Sequence, residues 1–352
     1  MKKYVQKSTL KSLRQWAIRL GVGVTVALLL LYVSFQVSPW PGALVIRYVF
    51  NKGGHKTLVA MEQTLPDYPV VTVANEQYRA GDKDAKLDVY MPQNGLGEQA
   101  RLPVVVWTHG GAWLSGDKTG IAPYLKRLSQ QGYIVVSLNY TLAPSKHYPY
   151  QVHQINDAFT YLSKNAGKYH ADMQRIVLAG DSAGAQLTAQ MAALVTNASY
   201  AKQVGVRPAL LPDQIAGVVL YCGIYELQGL AEPSPSLPKI IDWGDNTTVW
   251  AYAGSRHPSS DLLRQMSPFY HVTSAFPQTF ISGGNGDPLT NGQSKPLAQM
   301  LQTRNVNVTT LFYPKNHSPQ LPHEYQFTFN SDGETAFVKM LSFLQSATRD
   351  GL

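Results

Sequence analysis

Apolar residues in this chain gather into short runs separated by stretches of helical periodicity. Runs near Leu87–Met91, Val104–Thr108, Tyr133–Leu138, Arg175–Ala179, Ile215–Tyr221, Thr279–Ser282 and Val306–Tyr313 have the apolar character of strands buried in a parallel sheet. Helical patterns lie between most of them, and this alternation predicts an α/β fold, a mainly parallel sheet with helices on both faces. Two stretches break the rhythm. Residues 38–75 read as a mixed linker. Residues 228–268 are rich in Pro, Ser and Trp, including Pro233, Pro235, Pro238, Trp243 and Trp250, and read as an excursion between core elements.

The amino terminus follows a different pattern. Lys2, Lys3, Lys7, Lys11, Arg14 and Arg19 occur with no acidic residue before Leu20, and Leu20 to Val37 is apolar except for Thr25, Ser34 and Gln36. At about 1.5 Å per residue this stretch just spans a hydrocarbon core of about 30 Å, with Trp16 and Trp40 as interfacial anchors. Residues 1–19 are thus expected to be a basic cytoplasmic segment and 20–38 an uncleaved transmembrane signal anchor, with the remainder of the chain outside the cell. The alternative is a cleaved signal peptide and a secreted protein, but no convincing Ala-x-Ala site lies before Pro39.

Charge changes the picture only at that end. Of the formal net charge of +8, the first nineteen residues carry +6. The basicity is topogenic, and no nucleic-acid partner is expected. Cys222 is the single cysteine; it excludes an intramolecular disulfide, and its apolar neighbours suggest a buried strand thiol. No Cys/His cluster has zinc-ligand spacing, so no metal is expected. About 310 residues follow the anchor, within reach of one large domain.

Candidate chemistry sits at the ends of the predicted strands. Gly180-Asp181-Ser182-Ala183-Gly184 follows the run Arg175–Ala179 and opens a helical pattern. A serine on so sharp a turn takes strained backbone geometry, tolerated by small neighbours, with its hydroxyl exposed as a nucleophile. His109-Gly110-Gly111-Ala112-Trp113 follows Val104–Thr108; paired glycines there let backbone amides turn toward a bound carbonyl. With the amide of Ala183 they form a candidate oxyanion hole. Asp287 lies in the loop after Thr279–Ser282, at the carboxyl end where open α/β sheets put their chemistry. Two histidines, His317 and His323, follow the last apolar run. The chain order Ser, Asp, His is the α/β-hydrolase order and does not choose between them.

Jointly these residues resemble the hormone-sensitive-lipase-like branch of the α/β-hydrolases, microbial carboxylesterases with an HGG oxyanion motif and a GDSAG nucleophile motif. The resemblance runs from about Leu87 to Leu344 and includes Asn139-Tyr140-Thr141-Leu142-Ala143-Pro144, similar to the family's YRLAP segment. Ala112 stands where the family usually has a third glycine, so the amides expected to hold the oxyanion are those of Gly110, Gly111 and Ala183. The family's acid-to-base spacing of about thirty residues points to His317. Its motif after the base, and the distance to the final helix, point to His323, which is the favoured base. The resemblance further implies an α/β-hydrolase catalytic domain over 76–352, with 39–75 and an insertion near 228–268 contributing a cap.

The function expected is a membrane-anchored serine carboxylesterase acting on short-chain or acetyl esters through Ser182, His323 and Asp287, with no cofactor. A serine peptidase or amidase on the same fold, and a catalytically silent membrane-tethered binding module, are the alternatives.

Overall fold

The computed structural model describes residues 2–93, 101–232 and 238–349, without the side chains of 2–12. Pro233 and Pro235 of the predicted excursion, and the side chains of Lys2, Lys3, Lys7 and Lys11, lie outside this set. Eight strands form one sheet: β1 Val70–Gln77, β2 Lys86–Pro92, β3 Leu102–Thr108, β4 Ile134–Leu138, β5 Ala171–Asp181, β6 Ile215–Tyr221, β7 Thr279–Gly283 and β8 Val308–Phe312. Their order is β1-β2-β4-β3-β5-β6-β7-β8. Only the pairings of β1 with β2 and of β2 with β4 are antiparallel; the others are parallel.

Helices α1 Lys2–Val37, α2 Trp40–Thr64, α3 Ala122–Ser129, α4 Tyr150–Asn165, α5 Ser182–Thr196 and α6 Ala198–Val204 belong to the first part of the chain. They are followed by α7 Gln228–Ala231, α8 Lys239–Ala253, α9 Ser260–Met266, α10 Lys295–Thr303 and α11 Ser331–Ala347. The two-residue period of a strand sorts the central side chains onto two faces. Val104, Val106, Ile134, Val136, Ile176 and Leu178 pack with α4 and α5. Val105, Trp107, Val135, Val177 and Ala179 pack with α3 and α11. Both faces are covered, which is why these strands read as continuous apolar runs.

After β3 the chain steps outward to β4, then returns to lay β5 on the other side of β3. Strand order therefore reverses between β3 and β5, and the crevice at their carboxyl ends is where such sheets bind ligands. The histidine-glycine segment leaves β3 there, and Ser182 leaves β5.

The stretch 38–75 is not a linker. Most of it is α2, and Val70–Gln77 forms the edge strand β1. Tertiary packing overrides a sequence with Gly53 and Gly54 in mid-helix: Gly42, Ala43, Ile46 and Met61 are buried. A Cβ on Gly42 would stand 2.7 Å from Thr247 Cγ2 and 3.1 Å from Trp243, so the glycine lets α2 close onto α8. Arg47 of α2 donates to the carbonyls of Leu114 (2.5 Å) and Ala143 (2.9 Å). β1 escapes a reading by apolar runs because all its side chains are exposed or half-buried.

α1 is longer than the apolar stretch that predicts it. Leu13–Val37 is long and apolar enough to cross a membrane, and none of its most apolar window is buried against the rest of the protein.

A buried ion pair fixes the segment beyond the paired glycines to β2. Lys118 Nζ donates to Asp88 Oδ2 at 2.9 Å, both side chains almost fully enclosed, and Asp88 Oδ1 accepts the Asn75 amide at 2.7 Å. Asp88→Ala leaves the ammonium buried without a partner, and equilibrium unfolding in mild detergent is expected to show a loss of about 3–5 kcal/mol.

Candidate active site

Four strand ends supply the site. Ser182 is the first residue of α5, with a φ of +51°, left-handed geometry that a non-glycine residue adopts only under constraint. The constraint is packing. A Cβ on Gly180 would lie 2.6 Å from the Gly184 carbonyl and from Thr188 Oγ1, and one on Gly184 would collide with the carbonyls of Thr108 and His109. Larger residues at either position would push the turn off the end of β3.

His323 Nε2 stands 3.0 Å from Ser182 Oγ, and its Nδ1 stands 3.1 Å from Asp287 Oδ2. Asp287 is buried, with its other oxygen accepting the Leu289 amide at 3.0 Å. His317 is elsewhere. Its Nε2 lies 3.1 Å from Asp332 at the start of α11, and its ring packs against Tyr313. The loop between the two histidines is held by Asn285, whose side chain donates to the His317 carbonyl (2.9 Å) and accepts the Leu321 amide (2.8 Å). Gly286 N–H also donates to the Leu321 carbonyl at 2.9 Å. The extra six residues between His317 and His323 are thus folded against the loop that carries Asp287.

Behind His323 a buried network fixes its backbone. Glu324, itself left-handed at φ +59°, donates its amide to Cys222 Sγ (3.3 Å), and the thiol donates to Gln326 Oε1 (3.1 Å). Gln326 Nε2 then donates to Ser282 Oγ (3.1 Å), which also bonds Tyr325. Burial pushes the Cys222 thiol well up, so it stays protonated. The ligating atoms of Cys222, Asp287 and His323 lie within 4.8 Å of one another. The thiol and both ring nitrogens are already engaged in the bonds just described.

The three amides expected to face an oxyanion are not equivalent. Gly110 N–H donates to Asp181 Oδ2 at 2.8 Å, so this predicted member is occupied and the expectation for it is corrected. Asp181 sits beside Ser182, and its other oxygen accepts Trp107 Nε1–H at 2.7 Å. The motif's second residue thus anchors the first glycine, a role that no spacing argument foresaw. Gly111 and Ala112 follow with φ of +101° and +54°, and among the described residues neither amide donates to a protein group. Ala183 N–H lies in the first turn of α5, where helix amides have no intrahelical acceptor.

Burial lowers the affinity of His323 for a proton, but the hydrogen bond to Asp287 and the charges of Glu324, Asp287 and Asp181 outweigh it, raising the imidazole to about 9. Burial, together with the charge of Glu324, pushes Asp181 up to about 7 against the bonds from Trp107 and Gly110. A cavity of about 620 Å³ opens over this centre, lined by Val49, Phe50 and Leu58 of α2, His109–Gly111, His323 and Phe327.

With this geometry in hand, comparison with known proteins decides the family. The family model BD-FAE matches residues 87–301. The chain belongs to the BD-FAE family. Among curated relatives, Esterase LipQ of Mycobacterium tuberculosis is 26% identical over 276 residues, covering 75% of this chain and 62% of that protein. An esterase of Gibberella moniliformis is 26% identical over 271 residues, covering 74% and 80%. The chain spans less than two thirds of LipQ and 49% of Esterase LipC from the same mycobacterium. Esterase B from Lactobacillus rhamnosis superposes with a TM-score of 0.75 at 22% identity, over 88% of this chain and 96% of that one. It has also been solved with a tributyrin phosphonate inhibitor. This BD-FAE member therefore has the α/β-hydrolase fold, as the resemblance read from its motifs implied.

Glu324 Oε1 lies 3.8 Å from His323 Nε2, so its charge favours the imidazolium. In an NMR titration of the ring, Glu324→Gln is expected to bring the His323 midpoint down from about 9; an unchanged midpoint would show that Glu324 does not act on it.

Proposed function

We propose that this BD-FAE protein is a membrane-anchored serine carboxylesterase in which Ser182 is the nucleophile, His323 the base and Asp287 the residue that orients it. The observation that carries the reading is the unbroken relay from Asp287 through His323 to a strained Ser182, at the crevice where two amides stand free. The esterase names of its relatives, and the phosphonate taken by Esterase B, support an ester over an amide substrate.

Ser182 Oγ attacks the ester carbonyl while His323 Nε2 takes its proton; Asp287 holds Nδ1–H and stabilises the imidazolium. The amides of Gly111, Ala112 and Ala183 receive the oxyanion, and each such donor is worth about 2.7–4 kcal/mol of barrier. His323 then protonates the departing alcohol. Water enters the emptied leaving-group position, gives a proton to the same nitrogen and attacks the acyl carbon; His323 returns that proton to Ser182 Oγ as the acyl–serine bond breaks, and the acid leaves. Only neutral His323 can accept the serine proton, so a base raised to about 9 makes kcat/KM climb through the neutral range toward alkaline pH.

α1 would cross the membrane with Arg14 and Arg19 on the cytoplasmic side and the hydrolase domain outside. The apolar residues around the cavity suit the acyl part of a small or medium ester.

Ser182→Ala and His323→Ala are each expected to lower kcat for p-nitrophenyl acetate by several orders of magnitude, and the double variant to be little worse than either, because the relay acts as a unit. His317→Ala should keep turnover within a few-fold of wild type. An inactive His317 variant beside an active His323 variant would transfer the base to His317.

A further inference from the structure

α2 presents an unpartnered apolar face. Trp40, Leu44 and Tyr48 are spaced four residues apart, one above another on the helix, and Val45 and Val49 flank them. All five side chains are between 42% and 69% exposed, while Gly42, Ala43 and Ile46 on the other side are buried against the domain. The exposed Ile240 and Ile241 at the start of α8 lie one turn from Trp243, on which α2 packs. The next turns of α2 carry exposed Lys52, His55 and Lys56, and the first acidic residue of the whole chain is Glu62.

The position of this face is tied to α1. Only Ser38 and Pro39 separate the two helices, so Trp40 lies within roughly 10 Å of the end of α1. The root of α1 is itself fixed to the domain. Phe35 packs on Trp243 with ring centroids 6.4 Å apart, and Gln36 accepts hydrogen bonds from the Arg256 guanidinium through both its backbone carbonyl and its side chain. The domain is therefore seated at the foot of α1, with little freedom to lift its apolar face away.

We infer that α2 is an interfacial helix: its Trp40–Val49 face rests in the surface of the bilayer that α1 spans, and Lys52, His55 and Lys56 meet anionic lipid headgroups. An amphipathic helix with an apolar face and flanking cations lies in the plane of the interface, and Trp and Tyr favour headgroup depth. Val49 belongs both to this face and to the wall of the cavity, beside Phe50. The mouth of the site thus opens at the membrane surface, and its substrates are esters dissolved in the bilayer, entering past Val49 and Phe50. This deepens the esterase reading and rests on it and on α1 as a span.

The test uses the full-length protein reconstituted in vesicles of phosphatidylcholine and phosphatidylglycerol. Tyr48→Cys is labelled with the fluorophore NBD, which buried Cys222 does not take up, and Gln302→Cys on α10 serves as the control. Blue-shifted emission at 48, quenched by lipids with a nitroxide near the headgroup, is expected, with a water-like signal at 302. A water-like, unquenched signal at 48 overturns the inference whatever the enzyme does. In the second arm, Leu44→Glu with Tyr48→Glu should cut hydrolysis of a long-chain diacylglycerol in the vesicles at least tenfold and leave p-nitrophenyl acetate turnover within twofold. Equal loss of both would make the face structural, and no loss of either would make it irrelevant; both contradict the inference. If wild type cleaves neither ester, the esterase reading fails while the depth measurement still decides the docking.

Discussion

The close approach of the turn after β3 and the turn after β5 is the constraint on which the rest of the site depends. Gly184 meets the carbonyls of Thr108 and His109 with no room for a side chain, and Gly110 is held against Asp181 in the same way. That contact forces Ser182 into its left-handed backbone and brings the His109–Ala112 loop against it without an intervening element. Its energetic counterpart is a core packed on both faces of the sheet, which lets two strand ends bear a strained residue.

The electrostatics follow from the same crowding. Asp181, Asp287 and Glu324 surround one imidazole; the first two are buried, so water screens their fields little, while Glu324 is half-buried. Two of these carboxylates have structural duties: Asp287 orients the ring, and Asp181 holds the glycine loop. The amide of Glu324 is held by the Cys222 sulfur, and its carboxylate, 3.8 Å from Nε2, acts on His323 through charge.

The central strands were legible because a strand covered on both faces has no polar side to break its apolar run: Ile215–Tyr221 agrees with the observed strand at both ends, and the other six predicted strands differ by a few residues at most. β1 and α2 were not. β1 is an edge strand with a wet face, and α2 owes its helix to contacts with α8 that lie about two hundred residues away in sequence. Ser182, Asp287 and His323 were readable as strand-end residues, although spacing favoured His317, since a folded loop between the histidines cannot be measured by counting. The capture of the Gly110 amide by Asp181 left no trace in the sequence, because a hydrogen bond across two loops has no spacing of its own. Ala112 was passed over because it lacks the glycine that a left-handed backbone usually signals.

A crystal structure of the protein treated with an alkyl phosphonate ester tests the account most directly. Phosphorus is expected on Ser182 Oγ, with the phosphoryl oxygen within hydrogen-bond distance of the Gly111, Ala112 and Ala183 amides and the Gly110 amide still on Asp181. An adduct on any other residue, or a phosphoryl oxygen bound by Gly110 in place of Ala112, would contradict it.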